Sequence, residues 1–271
     1  MGTYILVFVL ATGYVFALNK KVKKSSGINW TPTEAVGVTL ATFFGGQFVG
    51  SLLVYLPLVL FGWSTEKITD WFDNSTFGQF IFILTIEAVS LFLIYAFIKR
   101  RGASFKTLGL SRKPKPTDLG YALLGFAGYF LFYIVVVAVL KNLVPGLNVD
   151  QEQQIGFEAA HGAQLAFVFV SLVLLPPVVE EMLIRGFLYG GLKNGLPKVW
   201  AIIITSGLFA VAHLQFGSGN SLLWIAAIDT FVLSLVLIYL RDKTKALWAP
   251  IGLHMIKNFV AFMALFVFAA R

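Results

Sequence analysis

Residues 165–191 read LAFVFVSLVLLPPVVEEMLIRGFLYGG, and this stretch decides the class of fold. It is long and apolar enough to cross a bilayer as a helix, since about 20 apolar residues span the hydrocarbon core. It nevertheless holds two adjacent acids, Glu180 and Glu181, and one base, Arg185. Ionisable groups are costly at such depth and usually functional. The stretch therefore predicts a membrane helix that carries a site.

The rest of the chain has the same apolar character. Of its 271 residues, 58% are hydrophobic and only 13% are charged, with a mean hydropathy of +0.83. Its apolar runs are long and helix-like and do not alternate with period two, which favours helices over a barrel. We therefore predict an all-α fold, a polytopic membrane helical bundle. Cysteine is absent, which excludes disulfides and a thiol nucleophile.

Apolar windows of about 20 residues predict eight transmembrane helices in one bundle. The first window is followed directly by four lysines, so we expect an uncleaved anchor and not a cleaved signal peptide. We expect residues 1–160 to supply N-terminal helices that select the substrate, and residues 161–271 to form a catalytic four-helix core. The eight windows are 3–18, 33–62, 77–98, 119–140, 165–191, 199–215, 221–240 and 247–270.

Basic residues alternate from loop to loop. Four loops hold 16 of the 21 lysines and arginines, and the loops between them are mainly acidic. By the positive-inside rule the basic loops are cytoplasmic and both termini face out. The net charge of +8 is thereby explained by topology, and no basic stripe with interleaved aromatics predicts nucleic-acid binding. The basic loops are 19–32, 99–118, 192–198 and 241–246.

The two acids of the quoted stretch are expected to differ. Pro176-Pro177 predicts the start of a new helix, whose positive dipole end would favour carboxylates in its first turns. Glu181 and Arg185 are spaced i,i+4 and can pair on one face, while Glu180 points about 100° away. Glu180 is then free to face a cavity. The alternative is a buried ion cluster that only fixes helix packing.

Further polar residues follow in the next spans. An antiparallel hairpin places His213 at the depth of Glu180, so the acid and the imidazole can meet. His254 and Asn258 share one face of the last span and could donate to an oxyanion, although such residues also bond helices together. We expect Asp229 to be a supporting or structural residue and Lys257 to pair with a carboxylate. Three further residues are given no catalytic role: Glu34, Glu87 and His161.

A carboxylate and a histidine that converge in a partly dry cavity can activate water, with the carboxylate as general base. Two donors opposite the water could stabilise the tetrahedral oxyanion formed when an amide is attacked. Peptide hydrolysis would use the carboxylate, the histidine and both donors. The sequence has no G-x-S-x-G turn that would support a serine mechanism. We expect no cofactor. Zinc held by glutamate and histidine remains the alternative.

These residues resemble the signature of the CPBP family, which comprises CAAX prenyl proteases and bacteriocin-processing proteins and is also called the ABI family. The resemblance covers about residues 165–262 and implies a glutamate-dependent intramembrane protease, a peptide hydrolase with an eight-helix core. It implies Glu180 as base, His213 as its partner on the water, and His254 with Asn258 as oxyanion donors. The motifs that carry it are Glu180-Glu181-x-x-x-Arg185, Phe209-x-x-x-His213, Leu247-Trp248-Ala249-Pro250 and His254-x-x-x-Asn258.

The expected partners are membrane lipid and a peptide or protein substrate, for which prenylated and bacteriocin-type peptides are the candidates. The oligomeric state is left open. The expected location is a prokaryotic cell membrane. Hairpin arithmetic puts the site about 25 Å from the cytoplasmic connection at 192–198, whereas a CAAX tail would need a cytosolic opening. A membrane-associated peptide is therefore the safer substrate class. Two other hypotheses are a catalytically idle scaffold or immunity protein and, more weakly, a transporter.

Overall fold

The computed structural model of the chain describes residues 27–144, 147–149, 155–214 and 222–268. These residues are mainly helical, which confirms the predicted all-α bundle. Inside a bilayer the backbone N–H and C=O groups find no water to bond, and a helix pairs these groups within itself. In chain order the helices are α1 Pro32–Leu60, α2 Thr65–Asn74, α3 Thr76–Arg100, α4 Pro116–Leu143, α5 Gly162–Lys193, α6 Lys198–Ala212, α7 Trp224–Thr244 and α8 Trp248–Phe268.

Seven of the eight predicted spans coincide with a described helix, and the first, 3–18, lies outside the described residues. Six of the helices, all except α2 and α6, are long and apolar enough to cross a membrane. The chain is thus a multi-pass integral membrane protein, and the count of eight is approximate. The α6 helix has 15 residues, so it is about 22 Å long, shorter than a hydrocarbon core of about 30 Å. It ends at His213, which caps it.

The start of α1 follows its sequence signal. The Thr31 hydroxyl accepts from the Glu34 amide at 3.2 Å, and the Glu34 carboxylate accepts from the Thr31 amide at 2.7 Å. This is a capping box, with Pro32 at the first helical position. Glu34 also binds Arg101, beyond the end of α3, so it ties two helices together. Its expected structural role agrees with these contacts.

The α5 helix carries two π-helical segments, Val170–Leu174 and Glu181–Leu188, on either side of the prolines. The predicted new start at Pro176-Pro177 was wrong: α-type bonding resumes at Leu175, but the backbone is helical throughout Gly162–Lys193. Glu180 and Glu181 therefore lie in mid-helix, without a free helix N-terminus beneath them. Single π turns inside helices are frequent at functional sites.

The helices differ in how much of their surface is buried within the bundle. The most apolar window of α7 is 56% buried, whereas that of α4 is 6% buried. The α7 helix packs against α4, α6 and α8 and lies near the middle of the bundle. The α4 helix presents exposed side chains such as Leu124, Leu131 and Val135 to the surroundings. Because all these exposed groups are apolar, lipid is their natural solvent.

The described residues of the four basic loops lie together at one end of the bundle, which will be called the basic end. Their contacts with one another show that the loops share a side, as the charge pattern predicted, and the compartment they face stays a prediction. The contacts are the Asn29 amide with the Arg101 carbonyl, the Arg241 guanidinium with the Leu108 carbonyl, and Lys193 with Asp242.

Candidate active site

Three charged or polar side chains form a buried chain across α5 and α8. Arg185 Nη1 donates to Glu181 Oε1 at 2.9 Å, the i,i+4 pair that the spacing predicts. His254 Nδ1 lies 3.0 Å from the same oxygen. Glu181 and Arg185 are fully buried and His254 is almost so. Oε1 of Glu181 thus has two partners, while its Oε2 is buried without a partner among the described residues. Because an ionised carboxylate only accepts, the contact places a proton of His254 on Nδ1.

Glu180 points elsewhere, as expected from the helical step. Its Oε2 has no hydrogen-bond partner within the described part of the chain. The same oxygen lies 3.9 Å from His254 Nε2, which is too far for a direct hydrogen bond. The side chain is 28% exposed, whereas that of Glu181 is 0% exposed. Of the two acids, Glu180 is the one that faces a cavity.

His213 and His254 flank one aromatic ring. The Phe209 ring centroid is 4.7 Å from that of His213 and 6.1 Å from that of His254, both edge-on. His213 Nδ1 lies 2.9 Å from the Phe209 carbonyl, an acceptor that places the proton on Nδ1. The Arg185 guanidinium sits over the ring at 4.1 Å. Phe209, which sequence reasoning treated only as part of a motif, thus supports three polar residues.

Asn258 Nδ2 donates to the Leu172 carbonyl at 2.8 Å. Within α5 this carbonyl would receive an α-type bond from residue 176 or a π-type bond from residue 177. Both residues are prolines, which have no N–H. The Leu175 amide bonds Val170 instead. Asn258 therefore satisfies a carbonyl that the two prolines leave unpaired, and it keeps one amide proton.

A second polar group lies beside the site. Lys257 Nζ is 2.8 Å from Asp229 Oδ2, so the expected pairing of Lys257 with a carboxylate is observed. Tyr129 of α4 donates its hydroxyl to the other oxygen of Asp229. Sequence reasoning missed Tyr129, because a tyrosine in an apolar span gives no signal without its partner. Asp229 thereby joins α4, α7 and α8 next to the predicted catalytic residues.

Several of the polar residues described above line a cavity of about 280 Å³, which will be called the central cavity. It extends toward the end of the bundle opposite the basic end, where Ile155 and Phe266 line it. Glu180 and His213 also line a neighbouring cavity of about 140 Å³, together with Glu87 of α3. Glu87 therefore shares a cavity with the site. The predicted polar residues that line the central cavity are Glu180, His213, His254, Lys257 and Asn258.

The other predicted residues are placed as follows. His161 lies in the exposed turn before α5, where its ring contacts the Ala159 carbonyl. The glycine-rich segment 217–219 lies outside the described residues. Among the residues that the structure describes, no three histidine, aspartate or glutamate side chains are grouped so as to hold a metal ion.

The fold and the site define a polytopic helical membrane protein with a carboxylate–histidine site enclosed in its bundle. Residues 162–260 match the family model described as "Type II CAAX prenyl endopeptidase Rce1-like". The match covers the segment from which the resemblance was drawn, and it confirms that resemblance. The matched segment contains all five predicted polar residues that line the central cavity, but neither Tyr129 nor Glu87. The family supports a membrane peptidase activity for the chain.

Two curated bacterial proteins are similar to the chain. "Putative membrane peptidase YdiL" of Bacillus subtilis is 26% identical over 232 residues, which is 83% of this chain and 87% of that protein. "Membrane-embedded CAAX protease MroQ" of Staphylococcus aureus is 29% identical over 160 residues, 54% of this chain and 58% of that protein. No solved structure matches the chain significantly. The bacterial relatives support the expected location in a prokaryotic membrane.

Proposed function

We propose that the chain is an intramembrane endopeptidase in which Glu180 activates the water that attacks the peptide bond. The observation that carries this proposal is the unequal state of the two adjacent acids. Glu181 is bound by Arg185 and His254 and its side chain is 0% exposed, whereas the Glu180 side chain has neither hydrogen bond, is 28% exposed and lines the central cavity. A general base needs a free carboxylate within reach of water, and Glu180 meets that condition.

The histidines complete the proposed arrangement. Each has its Nδ1 proton held by an acceptor, Glu181 for His254 and the Phe209 carbonyl for His213. The neutral His213 ring therefore offers a lone pair at Nε2. His213, which lines both cavities with Glu180, is assigned to hold the attacking water through that lone pair. His254, whose Nε2 is 3.9 Å from Glu180, is assigned to the oxyanion, to which it can donate when both ring nitrogens carry a proton, with the Glu181 carboxylate at Nδ1 beside the positive ring.

Peptide hydrolysis then runs as follows. Water attacks the carbonyl carbon and gives its proton to Glu180, and the developing oxyanion is stabilised by His254 and by the remaining amide proton of Asn258. Glu180 returns the proton to the leaving nitrogen as the carbon–nitrogen bond breaks. Removing an oxyanion donor typically costs about 10²–10³-fold in rate. Arg185 and Glu181 act by orienting His254, and Asp229 by fixing Lys257.

The substrate class we propose is a membrane-associated peptide or protein. The support is the depth of the central cavity in an apolar bundle and the printed names of the family and of the MroQ relative, which are CAAX proteases. A prenylated tail and a bacteriocin-type peptide both fit this class. Residues 1–160 are proposed to select between such substrates, since Glu87 and Tyr129 reach the site from this part.

The test is cleavage of prenylated and unprenylated peptide libraries by detergent-purified protein, read by mass spectrometry. We expect Glu180→Gln to lower the rate by about 10²–10⁴-fold, the contribution of a general base. Glu158→Gln is the matched control, because Glu158 is an exposed acid away from the site. Activity that survives a chelator would exclude the zinc alternative. Cleavage by Glu180→Gln at the wild-type rate would overturn the proposal.

Absence of cleavage by folded wild-type protein would favour the idle scaffold or immunity protein. Uptake of solute by reconstituted vesicles would favour the transporter. The scaffold hypothesis leaves the buried polar groups as packing devices, whereas the transporter would use the same charges to move its solute. Neither predicts peptide cleavage that Glu180→Gln lowers and Glu158→Gln leaves unchanged.

A further inference from the structure

A second polar cavity, which will be called the basic pocket, lies at the basic end and is separate from the central cavity. Its volume is about 420 Å³. It lies between the last turns of α5 and α7. Among its lining residues are Arg185, Tyr189, Lys193, Arg241, Asp242 and Lys245. Four of these six side chains are cationic and one is anionic, so the pocket carries an excess of positive charge.

The one acid of this set is already neutralised. Asp242 lies 2.6 Å from Lys193 and 2.8 Å from Lys198, and it accepts from the Tyr189 hydroxyl at 3.0 Å. The two lysines more than balance its charge. Arg241 and Lys245 therefore have no carboxylate partner in the pocket. Clustered cations without counter-ions repel one another, and a bound anion would remove that repulsion.

Arg185 gives the pocket a preformed binding edge. Its side chain is fully buried, with Nη1 bound to Glu181 and one face covered by the Phe209 ring. Its Nε and Nη2 are buried and have no hydrogen-bond partner within the described residues, and Arg185 is one of the residues that line the pocket. Nε of Arg241 is likewise buried and unpaired, although its Nη2 bonds the Leu108 carbonyl. Buried donors of this kind are normally satisfied.

We propose that the basic pocket binds a phosphate group. The Nε/Nη2 edge of Arg185 matches the two-oxygen geometry that guanidinium groups recognise in phosphate, and Arg241 supplies a second guanidinium. Lys245 adds a point charge at the rim. Because the pocket lies where basic loops meet the ends of apolar helices, an anionic phospholipid can present its headgroup there. A soluble phosphate offers the same chemistry.

The experiment measures binding to the full-length protein in detergent and needs no activity, so it is independent of the proposed function. Native mass spectrometry counts phosphatidylglycerol and phosphatidylcholine retained by the protein. A parallel arm measures thermal unfolding with inorganic phosphate against chloride at equal ionic strength. We expect wild-type protein to retain phosphatidylglycerol at least about tenfold better than phosphatidylcholine, since hydrogen bonds to charged groups are the strong ones.

Arg241→Gln combined with Lys245→Gln should abolish this preference. Lys245→Gln alone should weaken it and is the safer variant for folding, because Lys245 is exposed. Lys67→Gln combined with Lys141→Gln removes the same charge from exposed positions outside the pocket and should change nothing. Stabilisation by inorganic phosphate without a lipid preference would support the site with a soluble ligand. Equal lipid retention without a phosphate effect, or variants that match wild type, would overturn the proposal.

Discussion

Arg185 contacts several functional parts of this bundle at once. It binds Glu181, covers the Phe209 ring and lines the basic pocket, all without contact with water. A buried ion pair contributes little net stability relative to apolar residues, but removal of one partner leaves a charge without compensation. The Glu181 carboxylate also holds His254. Loss of Arg185 should therefore affect both stability and the orientation of the site.

The first residue-scale prediction is that Arg185→Met lowers the free energy of unfolding by about 3–5 kcal/mol, the cost of an unpaired buried charge. Lys198→Met is the matched control, because Lys198 is 59% exposed in its pair with Asp242. Exposed pairs contribute about 0–1 kcal/mol. Denaturant unfolding in detergent, followed by tryptophan fluorescence, measures both. Equal losses for the two variants would contradict the buried-pair argument.

At the scale of elements, α5 is the helix on which the site depends. Its two prolines and two π segments leave the Leu172 carbonyl without a partner in its own helix, and Asn258 of α8 supplies the bond. The irregular segment of one helix is thus stabilised by a polar residue of another. This contact fixes the relative depth of α5 and α8, and with it the approach of His254 to the two glutamates.

The element-scale prediction is a thermodynamic coupling between Pro176 and Asn258. Asn258→Leu should cost about 0.6–1.7 kcal/mol, the range for hydrogen bonds between membrane helices. In the Pro176→Ala background the cost should shrink, because the restored amide can bond the Leu172 carbonyl. A double-mutant cycle of unfolding free energies measures the difference. Additive effects of the two changes would contradict this account of the freed carbonyl.

Asn142→Leu provides the control for that cycle. The Asn142 amide donates to the Ala138 carbonyl of its own helix at 2.7 Å, and the side chain is exposed. The Ala138 carbonyl has not lost its helical partner to a proline, so the Asn142 bond is not needed to pair it. We expect a small cost and no coupling to Pro176→Ala.

Sequence periodicity predicted the described spans to within a few residues, because each is bounded by charge, proline or glycine. The i,i+4 pair of Glu181 and Arg185 was predictable, since it depends only on helix geometry. Contacts between helices that are distant in sequence were harder to predict. The bond of His254 to Glu181 depends on the rotation of α8, which spacing alone does not give. The contribution of Tyr129 depends likewise on α4 packing beside α7.

For the whole molecule, the two ends of the bundle differ in charge and in what they hold. The basic end joins four loops and contains the basic pocket, whereas the central cavity extends toward the opposite end. If the basic end is cytoplasmic, as the charge rule predicts, the central cavity is reached from the outer half of the membrane. A soluble cytosolic tail would then meet the wrong end of the protein. The orientation of the protein in the membrane therefore determines which class of substrate can reach the central cavity.

The absence of cysteine makes that orientation measurable, because each introduced cysteine is the only one in its chain. We expect a membrane-impermeant maleimide to label Glu158→Cys in intact cells and to label Lys113→Cys only after permeabilisation. Both positions are exposed, Glu158 in the loop before α5 and Lys113 at the basic end, so reactivity should report sidedness alone. The reverse pattern would turn the central cavity toward the cytosol and make a CAAX tail the favoured substrate. Labelling of both positions in intact cells would contradict a bundle whose two ends face opposite sides of the membrane.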